Sequence, residues 1–187
     1  MDTPKKKPNW LVIAAVSVLG LFCLGCLGMV LLVTFSPQLY EAWLDNSSVK
    51  VGSAAPDFEL TSLTGEMVRL SQYHGQPVLL TLGASWCPDC MHEAPLLQKL
   101  HESHPQLVIL DVDVKEPQSV VRNYVTDYGL SYPVLLDLSG EVNTTYQILA
   151  IPTEIFIDGD GIVRAKIVES VTPELLAQYL PLIGVQP

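Results

Sequence analysis

Two cysteines separated by two residues, in Trp86-Cys87-Pro88-Asp89-Cys90, stand directly after the apolar run Val78-Leu79-Leu80-Thr81-Leu82 and directly before an amphipathic stretch. That order predicts a strand, a Cys-x-x-Cys turn and a helix. A helix start presents unpaired backbone N–H groups and partial positive charge, which favour a thiolate and lower a cysteine pKa from about 8.5 into a range of roughly 3.5 to 7.5. Cys87 is therefore the expected nucleophile. Cys90, one turn later, is placed to attack a mixed disulfide on Cys87 and release the partner. The same spacing also occurs as half of a structural zinc site, but such a site needs four ligands, and no second Cys or Cys/His pair at matching spacing is present. The remaining cysteines, Cys23 and Cys26, lie in an apolar N-terminal segment. No metal and no cofactor are expected.

That segment bounds the architecture. Residues 10–35 contain no charged side chain, which exceeds the roughly 20 apolar residues that a helix needs to cross a bilayer. Lys5, Lys6 and Lys7 precede the run, and Glu41 and Asp45 follow it, so the positive-inside rule puts the N-terminus in the cytoplasm and the rest of the chain outside. A cleaved signal peptide has a shorter apolar core and a small-x-small site, and Thr34-Phe35-Ser36-Pro37 fits it poorly. Lipidation of Cys26 is disfavoured because Cys23 stands where such signals carry Leu. Cys23 and Cys26 read as small apolar helix residues. The expected organisation is a cytoplasmic N-terminus over 1–9, a transmembrane helix over 10–35, a linker over 36–48 and a folded domain over 49–187. Beyond Ser48 the chain has 7 basic and 17 acidic residues, a poor match for nucleic acid or anionic lipid.

Within the domain, Phe58-Glu59-Leu60, a turn at Thr64-Gly65 and Met67-Val68-Arg69-Leu70 predict a β-hairpin. Gly75-Gln76-Pro77 breaks the chain before the buried strand 78–82. Ala94, Leu96, Leu97 and Leu100 then recur at helical spacing, with Pro95 expected to kink the helix. A second apolar strand is expected over 107–112 and a helix through Val120, Val121, Tyr124, Val125 and Tyr128, ended by Gly129. A short strand at 134–136, a brief helix over 142–149, a hairpin around Asp158-Gly159-Asp160-Gly161 and a helix opened by Thr172-Pro173-Glu174 follow. Alternating strands and helices closed by an antiparallel hairpin and a last helix predict an α/β sandwich on a mixed sheet.

Ile151-Pro152-Thr153, directly before the strand 154–157, is the second chemical landmark. A proline lacks the ladder N–H and belongs at a strand start, and a cis X-Pro bond is one reason for its presence there. Trp-Cys-x-x-Cys paired with Ile-Pro-Thr ahead of a hairpin resembles the thioredoxin superfamily. The resemblance implies a cis proline beside the dithiol and a substrate groove lined by Trp86, Ile151 and Pro152. From Val51-Gly52-Ser53-Ala54-Ala55-Pro56-Asp57-Phe58 to the last helix, the chain looks like the membrane-anchored, extracytoplasmic thiol-disulfide oxidoreductases of the TlpA and ResA type. The stretch 120–137 resembles the helix and strand which that family inserts into the thioredoxin core. Glu93 takes the place of the acidic residue that manages protons in the family. The resemblance implies disulfide-containing protein partners such as apocytochrome c, a membrane-embedded electron donor and no nucleic acid.

The chain departs from the family at three points. Pro88 follows the first cysteine instead of preceding the second, Asp89 beside the dithiol opposes thiolate formation, and Thr81 stands where thioredoxin carries a buried aspartate. Two other readings compete with this one. A peroxiredoxin-type peroxidase needs Thr or Ser three residues ahead of the reactive cysteine, where this chain has Ala84. A Cu(I)-binding or delivery module would use the two thiols with His92. His74, His92, His101 and His104 read as polar surface residues.

Overall fold

The apolar runs become strands because six consecutive buried residues leave no solvent face for a helix to expose, and β-branched and leucine side chains pack well on a pleat covered from both sides. The computed structural model describes residues 49–186. The segments expected over 1–9, 10–35 and 36–48 lie outside the described residues. Strands β1 (Glu59–Ser62), β2 (Met67–Arg69), β3 (Val78–Gly83), β4 (Val108–Val114), β5 (Val134–Asp137), β6 (Thr153–Ile157) and β7 (Val163–Ile167) form one sheet in the order β2-β1-β5-β4-β3-β6-β7. The β3–β4 and β4–β5 pairs are parallel and the others antiparallel, so the sheet is mixed. Helices α1 (Pro88–Ser103), α2 (Gln118–Tyr128), α3 (Glu141–Thr145) and α4 (Pro173–Tyr179) complete the domain, with 3-10 turns at Leu70–Tyr73 and Leu180–Ile183.

Two apolar layers bury the two faces of this sheet. One joins Leu79, Ile109, Val134 and Phe156 to Ala94 and Leu97 of α1, Val121 of α2 and Leu176 of α4. The other joins Leu80, Leu110, Leu135 and Ile155 to Val142 of α3, Tyr146 and Val49. Because side chains alternate across a strand, residues 79, 81 and 83 of β3 face the first layer, under α1.

Three local details differ from the sequence expectations. The hairpin forms, but Leu70 leaves β2 to open a 3-10 turn. The helix expected over 142–149 is confined to Glu141–Thr145. Its length is set by a cap: the buried Asp137 carboxylate accepts the backbone N–H groups of Glu141 (2.9 Å) and Asn143 (3.0 Å), which fixes the first turn, and Gln147 at φ 48° ends the helical path. Helix α1 begins at Pro88, inside the Cys-x-x-Cys turn and six residues before the first position of the expected apolar face, Ala94, and extends to Ser103 with Pro95 inside it.

Candidate active site

The dithiol is built by the junction of β3 and α1. Cys87 is the N-cap of α1, Pro88 occupies N1, and Cys87 and Cys90 are joined by a disulfide. Proline at N1 loses nothing, since that N–H has no intrahelical partner and the ring presets a helical φ. The N–H of Cys90 donates to the Cys87 sulfur at 3.2 Å. A sulfur in this position receives a helix N–H and the positive end of the helix dipole, both of which favour a thiolate once the disulfide opens. Asp89, exposed in the first turn, favours the helix through the same dipole while opposing negative charge on the sulfurs.

Gly83 ends β3 beneath the second cysteine. A Cβ placed there would lie 3.2 Å from the Cys90 sulfur and 3.5 Å from its Cβ, so the missing side chain is what lets α1 seat Cys90 against the sheet. The Tyr124 hydroxyl of α2 donates to the Cys90 carbonyl at 3.4 Å. The loop between β3 and α1 is held from the other side, where Glu116 accepts the Ser85 N–H at 2.5 Å and the Ser85 hydroxyl at 2.8 Å.

Trp86 is 66% exposed beside the buried disulfide. The Ile151–Pro152 peptide bond is cis. Since Leu82 pairs with Thr153 in the β3–β6 register, Pro152 lies one residue beyond that pair, at the same sheet end as Gly83 and the dithiol. Pro152 is buried and Ile151 half-buried. Trp86, Ile151 and Pro152 thus flank the sheet edge that carries Cys87 and Cys90. His92 is exposed, and among the described residues no group of three or more His, Cys, Asp or Glu side chains has a metal-holding arrangement.

Glu93 is turned into the protein and is 3% exposed. Its carboxylate accepts the Val171 N–H at 2.9 Å, and burial pushes its pKa up to about 7. It is one of several buried acids under α1. Burial raises Asp111 to about 7, and burial together with the adjacent Glu116 raises Asp113 to about 8. Glu154 is fully buried, and desolvation with the Glu93 charge holds it well above the usual carboxylate range. Tyr124 and Tyr132 lie against the same acids, and burial raises both phenols.

Sequence reasoning picked out Glu93 and passed over Asp111, Asp113, Glu116 and Glu154. A signal was present. Charged residues stand inside runs otherwise apolar enough to be fully buried, as in Val108-Ile109-Leu110-Asp111-Val112-Asp113-Val114 and Thr153-Glu154-Ile155-Phe156-Ile157. Buried acids in such runs are rare unless paired or functional.

Residues 51–166 match the AhpC/TSA family. The chain is 34% identical over 155 residues to the thiol-disulfide oxidoreductase ResA of Geobacillus kaustophilus, covering 81% of this chain and 89% of the relative. To ResA of Geobacillus thermodenitrificans it is 33% identical over 177 residues, covering 94% and 97%. Among solved structures it is similar to StoA of Bacillus subtilis, with a TM-score of 0.59 and 28% identity over 68% of this chain and 98% of that one. A Chlorobium tepidum protein assigned as a thiol:disulfide interchange protein DsbE gives a TM-score of 0.68 and 26% identity over 73% and 99%. With a Cys-x-x-Cys disulfide at a helix start on a thioredoxin-like mixed sheet, the chain belongs to the AhpC/TSA family and is a thiol-disulfide oxidoreductase of the thioredoxin superfamily.

Proposed function

We propose that the chain is a membrane-anchored, extracytoplasmic reductant of protein disulfides, working on substrates such as apocytochrome c before haem attachment and recharged by a membrane-embedded electron donor. The anchor and orientation rest on the uncharged run 10–35 between Lys5-Lys6-Lys7 and Glu41. The direction of electron flow rests on the charge beside the dithiol. Asp89 stands exposed between the two cysteines in the first turn of α1, and its negative charge opposes thiolates. Strong oxidants of this fold have a stabilised reduced form; the Asp89 charge withholds that stabilisation and lowers the potential. A reducing dithiol outside the cytoplasm has a task, because thiols there otherwise pair.

In the reductive half-cycle the Cys87 thiolate attacks a substrate disulfide, a Cys87–substrate disulfide forms, and the first substrate thiolate leaves and takes a proton from water. Cys90 loses its proton and attacks the Cys87 sulfur. The Cys87–Cys90 disulfide forms, the second substrate thiolate leaves, and two electrons have passed to the substrate. Trp86 and the Ile151–Pro152 edge offer the apolar surface and backbone on which an extended peptide would lie.

The reading is tested with the Cys90→Ser chain expressed in its native membrane, followed by mass spectrometry of disulfide-linked adducts, and with the midpoint potential of the wild-type pair. Extracytoplasmic proteins trapped on Cys87 and a potential below roughly −200 mV are expected. An absence of adducts, or a potential near about −120 mV as in strong oxidants, overturns it.

A further inference from the structure

Three side chains form a row across the sheet below the dithiol. Thr81 of β3 is paired directly with Asp111 of β4 on one side and with Glu154 of β6 on the other. Directly paired residues project from the same face, so all three point toward α1. The Thr81 hydroxyl donates to Glu154 Oε1 at 2.6 Å. Glu154 Oε2 is buried with no hydrogen-bond partner. An ionised carboxylate with one bare oxygen in a fully buried position is costly, and two carboxyl groups buried in mutual reach cannot both ionise. Glu93 of α1 is the second carboxyl of that pair, interacting electrostatically with Glu154.

The pair lies one step from the resolving sulfur. Cys90 sits over Gly83, two residues along the same face of β3 from Thr81, and Cys90 precedes Glu93 by one turn of α1. The groups that face the pair are known from each element. Asp89 comes from α1, Asp111 from β4, Thr81 from β3, Tyr124 from α2 and Tyr132 from the segment before β5. Lys166 of β7 pairs with Ile155 and so projects to the opposite face.

We propose that Glu154 is a positioning residue for the resolving step: it shares one proton with Glu93, and through Glu93 the pair accepts the Cys90 proton as Cys90 attacks and returns it when the disulfide is reduced. The carboxyl that β3 lacks at Thr81 is thereby supplied from the neighbouring strand, and Thr81 aims it. The step balances. Cys90–SH gives its proton to the singly protonated pair, the sulfur–sulfur bond to Cys87 forms as the Cys87–substrate bond breaks, and the doubly protonated pair then loses one proton to water. In regeneration by a dithiol donor the direction reverses, and the leaving Cys90 thiolate takes the proton back.

This rests on the disulfide-exchange reading, and one experiment separates the two. The reduced full chain in neutral detergent is mixed with DTNB and absorbance at 412 nm is followed from pH 5 to 9. The first thionitrobenzoate released reports attack by Cys87, and the second reports resolution by Cys90. Glu154→Gln is expected to slow the second release at least tenfold at pH 7, to flatten its pH profile and to leave the first release within twofold. Glu93→Gln gives the same loss, and the double variant adds nothing, because the pair acts as a unit. Thr81→Val, which removes only the aiming hydroxyl, gives a smaller loss in the second release and keeps the test if Gln at position 154 impairs folding. An unchanged second phase and pH profile in Glu154→Gln, equal losses in both phases, or additive losses in the double variant overturn the proposal. Absence of the first release in the wild-type chain overturns the disulfide-exchange reading itself.

Discussion

Raising the pH from 5 to 8 is expected to destabilise the oxidised domain, against the behaviour of a protein whose carboxylates sit in salt bridges. Asp111 gives the magnitude most directly, because burial alone moves it, from 3.8 to about 7. The folded-state pKa is raised, so between those values the folded chain binds more protons than the unfolded one. Stability is then greatest below the unfolded pKa, falls as pH rises, and levels off above the folded pKa. At about 1.4 kcal/mol per unit, the two units between pH 5 and about 7 correspond to about 3 kcal/mol from this one group. For a domain of this size that is a fall in Tm of roughly 10 °C. Glu93 and Asp113, also raised by burial, act in the same direction. Far-UV circular dichroism melts of the oxidised chain in neutral detergent measure it, since the disulfide removes the thiols from the titration. Asp111→Asn should recover most of that 10 °C at pH 8 and leave the melt at pH 5 within 3 °C of wild type. A Tm that is level or rises from pH 5 to 8, or a decline of equal size in Asp111→Asn, would refute the reasoning.

Trp86→Ala should leave stability within about 0.5 kcal/mol, because the side chain is largely exposed, while kcat/KM for reduction of a protein disulfide falls about tenfold and the rate with DTNB does not change. Gly83→Ala should cost about 1–3 kcal/mol in urea unfolding, since the added methyl meets the Cys90 sulfur at 3.2 Å where the disulfide holds it in place; an unchanged midpoint would show that α1 lifts away freely. Asp137→Ala removes two charge-assisted hydrogen bonds to the first turn of α3 and should cost about 2–4 kcal/mol by the same measurement, with a loss below 1 kcal/mol counting against the cap.

The elements were legible where one physical signal dominated. Continuous apolar runs marked β3 and β4, the αL conformation of Gly129 ends α2 as its position implied, and Thr172 caps α4 through the Leu175 N–H. The start of α1 was legible in chemistry but not in periodicity. Pro88 and Asp89 carry no apolar face, yet they form the first turn because Cys87 caps it. The helix after Gly140 was overextended because apolar Ile148 and Leu149 continue the helical spacing past Thr145, whereas Asp137 anchors only the first turn and Leu149 is almost wholly exposed.

The acids under α1 were hidden for a different reason, and it bears on how the site works. Thr81 lies two residues from the C-terminal end of β3, Asp111 at the middle of the parallel β4, and Glu154 near the N-terminal end of the antiparallel β6. Each is a polar residue in a largely apolar strand, separated from the next of the three by at least thirty positions of chain. Only the strand order β4-β3-β6 puts them side by side, and it puts them at the edge where β3 delivers Cys87 and Cys90. Polar residues at that edge are therefore not random losses of core hydrophobicity. Asp111, Glu154 and Glu93 remain buried because the neutral forms tolerate it, and a group held near the boundary between its neutral and charged forms by burial can respond to a charge change next to it. Opening and closing the disulfide makes that change at Cys90, so the sheet edge that costs this domain stability at neutral pH is also the part of it able to register the state of the dithiol.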